Sequence, residues 1–177
     1  MKSDIYNPED VMIDLETTGI SAGCCVLSIG ACTLDGTETF YAKINSAEQR
    51  NKLGLIDFPP TMDWWAKQPE KARTEAFGGI LPPHMVLHDF NIWLSRLNIE
   101  GVWGNGAAFD LPILTKLYEA VNLQPSWPRF SDRCYRTVKN LYPEITPEKF
   151  IGTKHDALDD ALYQAAHLRK ILLTLER

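Results

Sequence analysis

The sequence predicts an α/β domain built on a mixed sheet. Three observations predict it. Strand-length runs of alternating or continuous apolar residues crowd the first 45 positions, helical periodicity dominates after residue 60, and short apolar pieces recur between the helices.

Val11 to Glu16 reads as the first strand, with Val11, Ile13 and Leu15 on one face and Met12, Asp14 and Glu16 on the other. Cys25 to Leu34 reads as a second, mostly apolar strand. Asp35-Gly36 signals a tight turn, and Thr37 to Ile44 follows as a third strand, so the chain opens with an antiparallel meander. Thr61 is placed to cap a short helix carrying Met62, Trp64 and Trp65, which Pro69 interrupts or restarts. Pro83 opens a longer helix, with Leu87, Phe90, Trp93, Leu94 and Leu97 at helical spacing. Gly101 to Trp103 reads as a short buried strand. A helix starts near Asp110, with Pro112 in its first turn and Ile113, Leu114, Leu117, Tyr118 and Val121 along one side. Ser131 is placed to cap a helix running to about Tyr142. The last helix spans Ala157 to Leu175, with the stripe Leu158, Ala161, Leu162, Ala165, Leu168 and Leu172.

No repeat, low-complexity tract or linker divides the chain, and 177 residues suit one domain over positions 1–177. The 45 % apolar content is that of a globular protein. No apolar run approaches the roughly 18 residues that cross a bilayer, so no membrane span is expected. Met1 to Asp10 is polar and acidic and lacks the basic start and apolar stretch of a signal peptide; export is not expected. Cys24, Cys25, Cys32 and Cys134 form no C-x-x-C pair, which suggests neither a disulfide framework nor a zinc site and fits a reducing cytoplasm. The net charge of −5 argues against a broad basic face for duplex DNA. It is compatible with an acidic site that recruits metal cations.

Carboxylates appear where a core would not want them. Asp14 and Glu16 project from one face of a strand and repel unless a cation lies between them or the face is wet. Asn105 through Phe109-Asp110 follows a strand with a glycine-bearing turn. Ligand sites of α/β sheets favour that place, although an aspartate there also caps helices. His155-Asp156-Ala157-Leu158-Asp159-Asp160 opens the last helix. Helix-dipole compensation accounts for Asp156 and Asp159. Asp160 lies about 140° from the centre of the apolar stripe, and His155 can swing toward a site at the helix N-terminus.

Together these three pieces resemble the DEDD exonucleases of the histidine subclass, which share the ribonuclease H-like fold. Oligoribonuclease, ribonuclease T and the proofreading subunit of bacterial DNA polymerase are relatives of this kind. The matching residues are Ile13 to Gly19, Asn105 to Asp110 and His155 to Asp160; Ser131-Asp132-Arg133 through Arg136 is a weaker match. The motifs span positions 13 to 160, and all stand in order. The resemblance implies a metal-dependent 3'-5' exonuclease acting on the 3' end of single-stranded DNA or RNA and releasing nucleoside 5'-monophosphates. It implies two divalent ions, Mg2+ or Mn2+, about 3.5–4 Å apart. Asp14, Glu16 and Asp160 would hold one ion, and Asp14 with Asp110 the second. His155 would be the general base. Leu15 and Thr17 would contact the terminal nucleotide, and Asn105 would order its turn or touch substrate. Several relatives are dimers, so a homodimer is an expectation of the same origin.

Other features carry less. Adjacent helical residues point about 100° apart, so one of Trp64 and Trp65 belongs to the core while the other is free to stack on a base. His84 and His88 have i, i+4 spacing but no intervening H-E-x-x-H glutamate. Arg129, Arg133 and Arg136 either hold phosphates or form a solvated helix face. The acids at 156, 159 and 160 lack the glycine and distal glutamate of a calcium loop. Two rival functions share the residues: a nucleic-acid-binding module without catalysis, and an endonuclease or nucleotide hydrolase. All five catalytic residue types are present, which disfavours the first rival. Product analysis separates the second.

Overall fold

The structure, a computed structural model, describes residues 5–176, so part of the polar N-terminal stretch considered above lies outside the described residues. Five strands form one mixed sheet in the order β3-β2-β1-β4-β5. β1 (Val11–Thr17) is central. It pairs antiparallel with β2 (Val26–Thr33), which pairs antiparallel with β3 (Thr39–Lys43). On its other side β1 runs parallel to β4 (Val102–Gly104), and β4 runs parallel to β5 (Asp132–Cys134).

Helices cover both faces. Val11, Ile13 and Leu15 pack against Val86, Leu87 and Phe90 of α4 (Pro83–Leu94) and against Leu111, Leu114 and Leu117 of α5 (Asp110–Ala120). The opposite face receives α7 (Ala157–Leu175), whose Ala161, Ala165, Leu168 and Leu172 meet Met12, Cys32, Leu34 and Trp103. Each fully buried Leu, Ile or Phe contributes about 1.5–3 kcal/mol relative to exposure. α7 packs on the face from which Asp14 and Glu16 project, so that face is covered rather than open and the two acids are half-buried. No described helix is long and apolar enough to cross a membrane.

The sequence expectations hold for the meander, for α4 and α5, and for the last helix, which spans the predicted residues. Three departures have physical reasons. A helix α1 (Ser46–Leu53) has no apolar stripe; its buried residues are Ser46 and Gln49, and the Gln49 amide bonds both the N–H and the C=O of Val26. Thr61 does not cap α2 (Pro59–Ala66), which begins two residues earlier because Pro59 and Pro60 are pre-set for a first turn. Pro69 then starts α3 (Glu70–Phe77). Ser131 is not a helix cap either. It precedes the edge strand β5, and α6 (Tyr135–Leu141) starts only afterwards.

Asp10, fully buried, ties three strands together. Its carboxylate accepts from the N–H groups of Glu100 and Gly101, from the Trp103 indole, and from Arg133 at 2.7 Å.

Candidate active site

The site lies at the carboxyl ends of β1 and β4, where α5 and α7 begin. Asp14 and Glu16 come from β1, Asp110 is the first residue of α5, and Asp160 sits in the first turn of α7. Phe109, not Asp110, occupies the cap position of α5. The Asp110 carboxylate instead accepts the Asn105 N–H through Oδ2 at 2.7 Å, and its Oδ1 is buried without a partner.

Gly30 explains how α7 reaches the sheet. It pairs directly with Asp14 across the ladder. A Cβ there would stand about 1.5 Å inside ordinary separation from the backbone of Ala157 and Leu158. The missing side chain lets the first turn of α7 settle beside Asp14. One turn further along, the Gln164 amide donates to Asp14 Oδ1 at 2.7 Å.

The segment before α7 is bound by its own acids. Asp156 caps the helix by accepting from Leu158 and Asp159 N–H, and Asp159 accepts from Thr153 N–H at 2.7 Å. His155 adopts a left-handed φ of 63° and donates its N–H to Asp160 Oδ2 at 3.2 Å. A non-glycine residue in that region costs roughly 1 kcal/mol or more. Here it turns the imidazole back over the site. One ring nitrogen of His155 and carboxylate oxygens of Glu16 and Asp160 all lie within 4.8 Å of one another.

Burial raises the carboxyl groups of Asp14, Glu16, Asp110 and Asp160. Burial, then the charge of Asp110, pushes Asp14 well above the usual carboxylate range, against the pull of Gln164. Burial and then Asp160 push Glu16 up to about 8. Burial lifts Asp110 to about 6 despite the Asn105 N–H. Asp160 is raised by burial against the His155 N–H. Without cations Glu16 retains a proton near neutrality; divalent cations would compensate the charge of all four groups.

Beside the acids opens a pocket of about 430 Å3 whose walls include Leu15, Glu16, Thr17, Phe58, Trp64 and Phe109. That is within the usual range for a small-ligand site. Trp65 is buried, donates its indole N–H to Thr17 C=O at 2.9 Å and packs on Phe77. Trp64 is 39 % exposed and meets the His155 ring edge-on, with centroids 4.9 Å apart.

The family model of the Rv2179c-like 3'-5' exoribonuclease domain matches residues 9–172, nearly the whole chain and every acid of the site. The chain belongs to this family. It is therefore a 3'-5' exonuclease, and the resemblance to DEDD enzymes of the histidine subclass holds. Among solved structures it is similar to the nuclease domain of 3'hExo, a DEDDh family member solved bound to rAMP. The TM-score is 0.63 at 13 % identity, covering 97 % of this chain and 95 % of that one. At that identity the likeness speaks for the fold. A comparison with curated proteins finds no match.

For this exoribonuclease-family domain, the structure thus gathers Asp14, Glu16, Asp110, His155 and Asp160 at one place, with Leu15, Thr17 and Trp64 on the adjoining pocket. Trp65 borders the pocket but is spent on the core. Asn105 is not among the pocket-lining residues and serves Asp110 through its backbone. The three arginines separate: Arg133 pairs with Asp10, Arg129 lies over the Phe130 ring, and Arg136 faces a neighbouring pocket. His84 and His88 are exposed on α4 and take no part. Gln164 and Gly30 escaped sequence reasoning. The only available signal was their position, a polar residue one turn after Asp160 and a glycine inside an apolar strand.

Proposed function

We propose that the chain is one divalent-metal-dependent exonuclease domain that removes nucleoside 5'-monophosphates from the 3' end of single-stranded RNA. The observation that carries this reading is the cluster of four carboxyl groups, Asp110 buried and Asp14, Glu16 and Asp160 half-buried, of which Glu16 lines the 430 Å3 pocket. The donor set fits hard cations. It is all oxygen, its charges cannot coexist without compensation, and Asp110 Oδ1 is buried with no partner. Asp14, Glu16 and Asp160 would hold one Mg2+ or Mn2+, and Asp14 with Asp110 a second. Such ions neutralise charge on phosphoryl oxygens and make water easier to deprotonate.

The residues of the chain do the rest. The pocket walls formed by Leu15, Thr17 and Trp64 hold the terminal nucleoside and exclude bulk water. His155, its ring restrained by the edge of Trp64, accepts a proton from the attacking water at a ring nitrogen. The water oxygen bonds to phosphorus, the P–O3' bond breaks, and the departing O3' takes a proton to become the new 3' end. The terminal nucleoside leaves with the phosphate on its 5' oxygen.

The test uses 5'-labelled single-stranded RNA and DNA of one sequence with Mg2+, Mn2+ or EDTA, and Asp14→Ala and His155→Ala alongside. The reading expects a ladder shortening from the 3' end, stronger on RNA, lost in EDTA and in both variants. Internal cuts, or no cleavage by the unaltered protein in either metal, would sink it.

A further inference from the structure

A ridge made by Ile20 and Phe109 separates the site pocket from a second one of about 660 Å3, which both residues also line. Arg136 and Asn140 of α6 form part of its wall. Asn140 also borders a third pocket of about 250 Å3, where Lys139 lies. The hollows therefore follow one another along α6, leading away from the carboxylates.

The charge along this path is unusual for an acidic protein. Between Arg129 and Tyr142 the chain carries Arg129, Arg133, Arg136 and Lys139 against Asp132 alone. Arg133 is paired with Asp10; Arg129 lies over the Phe130 ring and Lys139 over the Tyr135 ring, contacts that leave both charges without an acid. Arg136 and Lys139, three residues apart and so on one side of the helix, form no ion pair among the described residues. Burial and the charge of Arg136 lower the Lys139 ammonium below its usual range, as expected for two neighbouring cations with no acid between them. Arg136 also lies beside the turn that leads to Asp110: a Cβ on Gly106 would stand 3.7 Å from its guanidinium carbon.

Resting on the exonuclease reading of the adjoining site, we propose that α6 is the track for the strand upstream of the scissile bond. Arg136 holds the backbone phosphate next to the scissile one, Lys139 holds the phosphate after it, and the penultimate base lies in the pocket beyond the Ile20–Phe109 ridge. The partner is a single strand: the two cations lie along pockets beside one helix, and the net charge of −5 argues against a broad basic face for a duplex.

The test compares the full chain with Arg136→Gln, Lys139→Gln and the double variant on a 12-nucleotide RNA and on a dinucleotide, whose single phosphate is the scissile one. The preference for the 12-mer, as the ratio of kcat/KM values, is expected to fall about tenfold per substitution. Binding of the labelled 12-mer in EDTA is expected to lose about 0.7 from the slope of log K against log salt per substitution. An unchanged ratio and slope in the double variant would overturn the track. Loss of slope in a protein that cleaves neither substrate would uphold the track and count against the exonuclease reading instead.

Discussion

Gly30→Ala puts one methyl group where the first turn of α7 rests on the sheet. The added carbon would sit about 1.5 Å inside ordinary separation from the Ala157 carbonyl and the Leu158 nitrogen. These are backbone atoms, so no side-chain rotation relieves the clash, and the helix must retreat by about 1 Å. Overpacking of this kind costs about 1–3 kcal/mol. For a chain of 177 residues that corresponds to a Tm lower by roughly 3–10 °C. The functional loss should exceed the stability loss. The same helix carries Asp160 and Gln164, and Gln164 holds Asp14. A misplacement of about 1 Å costs on the order of 100-fold in rate. The assay is kcat/KM on a labelled RNA at a temperature where circular dichroism shows the variant folded. Gly36→Asn is the control. That turn glycine has φ 77° and open space around it, and asparagine tolerates such a φ. A Gly30→Ala protein with kcat/KM within threefold of the unaltered protein would refute the argument that α7 positions the site.

His155→Asn keeps a residue type that accepts a left-handed φ. It should lower kcat about 10²–10⁴-fold while moving Tm by no more than a few degrees, measured by steady-state kinetics and thermal unfolding. In EDTA, stability should fall as pH rises. Glu16 has a folded pKa of about 8 against an ordinary 4.5, so between these values the folded state keeps a proton that the unfolded state has lost. Stability present below pH 4.5 is lost as pH passes 8, by at most about 5 kcal/mol for Glu16 alone. Mn2+ should therefore raise Tm more at pH 8 than at pH 5, and an equal rise at both would contradict the assignment. Asp10→Ala leaves Arg133 and two backbone N–H groups without their acceptor. It should cost about 3–5 kcal/mol in urea unfolding.

The chemistry was more legible in the sequence than its supports. Asp14 and Glu16 announce themselves because two acids on one strand face conflict with the apolar run around them. The helix stripe from Ala157 to Leu175 is long enough to fix its own period, and Asp160 stands outside that stripe. Elements whose stability comes from elsewhere were invisible. Asp132–Cys134 has no apolar alternation and is a strand only because β4 offers it a ladder. The helix Ser46–Leu53 is held by the Gln49 amide rather than by a stripe. Gln164 and Gly30 matter through contacts with residues more than a hundred positions away, which no local pattern encodes. The identical chemistry of Trp64 and Trp65 left their roles open until the fold buried Trp65 against Phe77.

The most direct measurement is anomalous diffraction at the manganese edge from crystals grown with Mn2+ and a nucleoside 5'-monophosphate. The account predicts two peaks about 3.5–4 Å apart, held by Asp14, Glu16, Asp110 and Asp160, with the nucleoside in the pocket beside Leu15 and Trp64. Manganese bound elsewhere, with these four carboxylates uncoordinated, would contradict it.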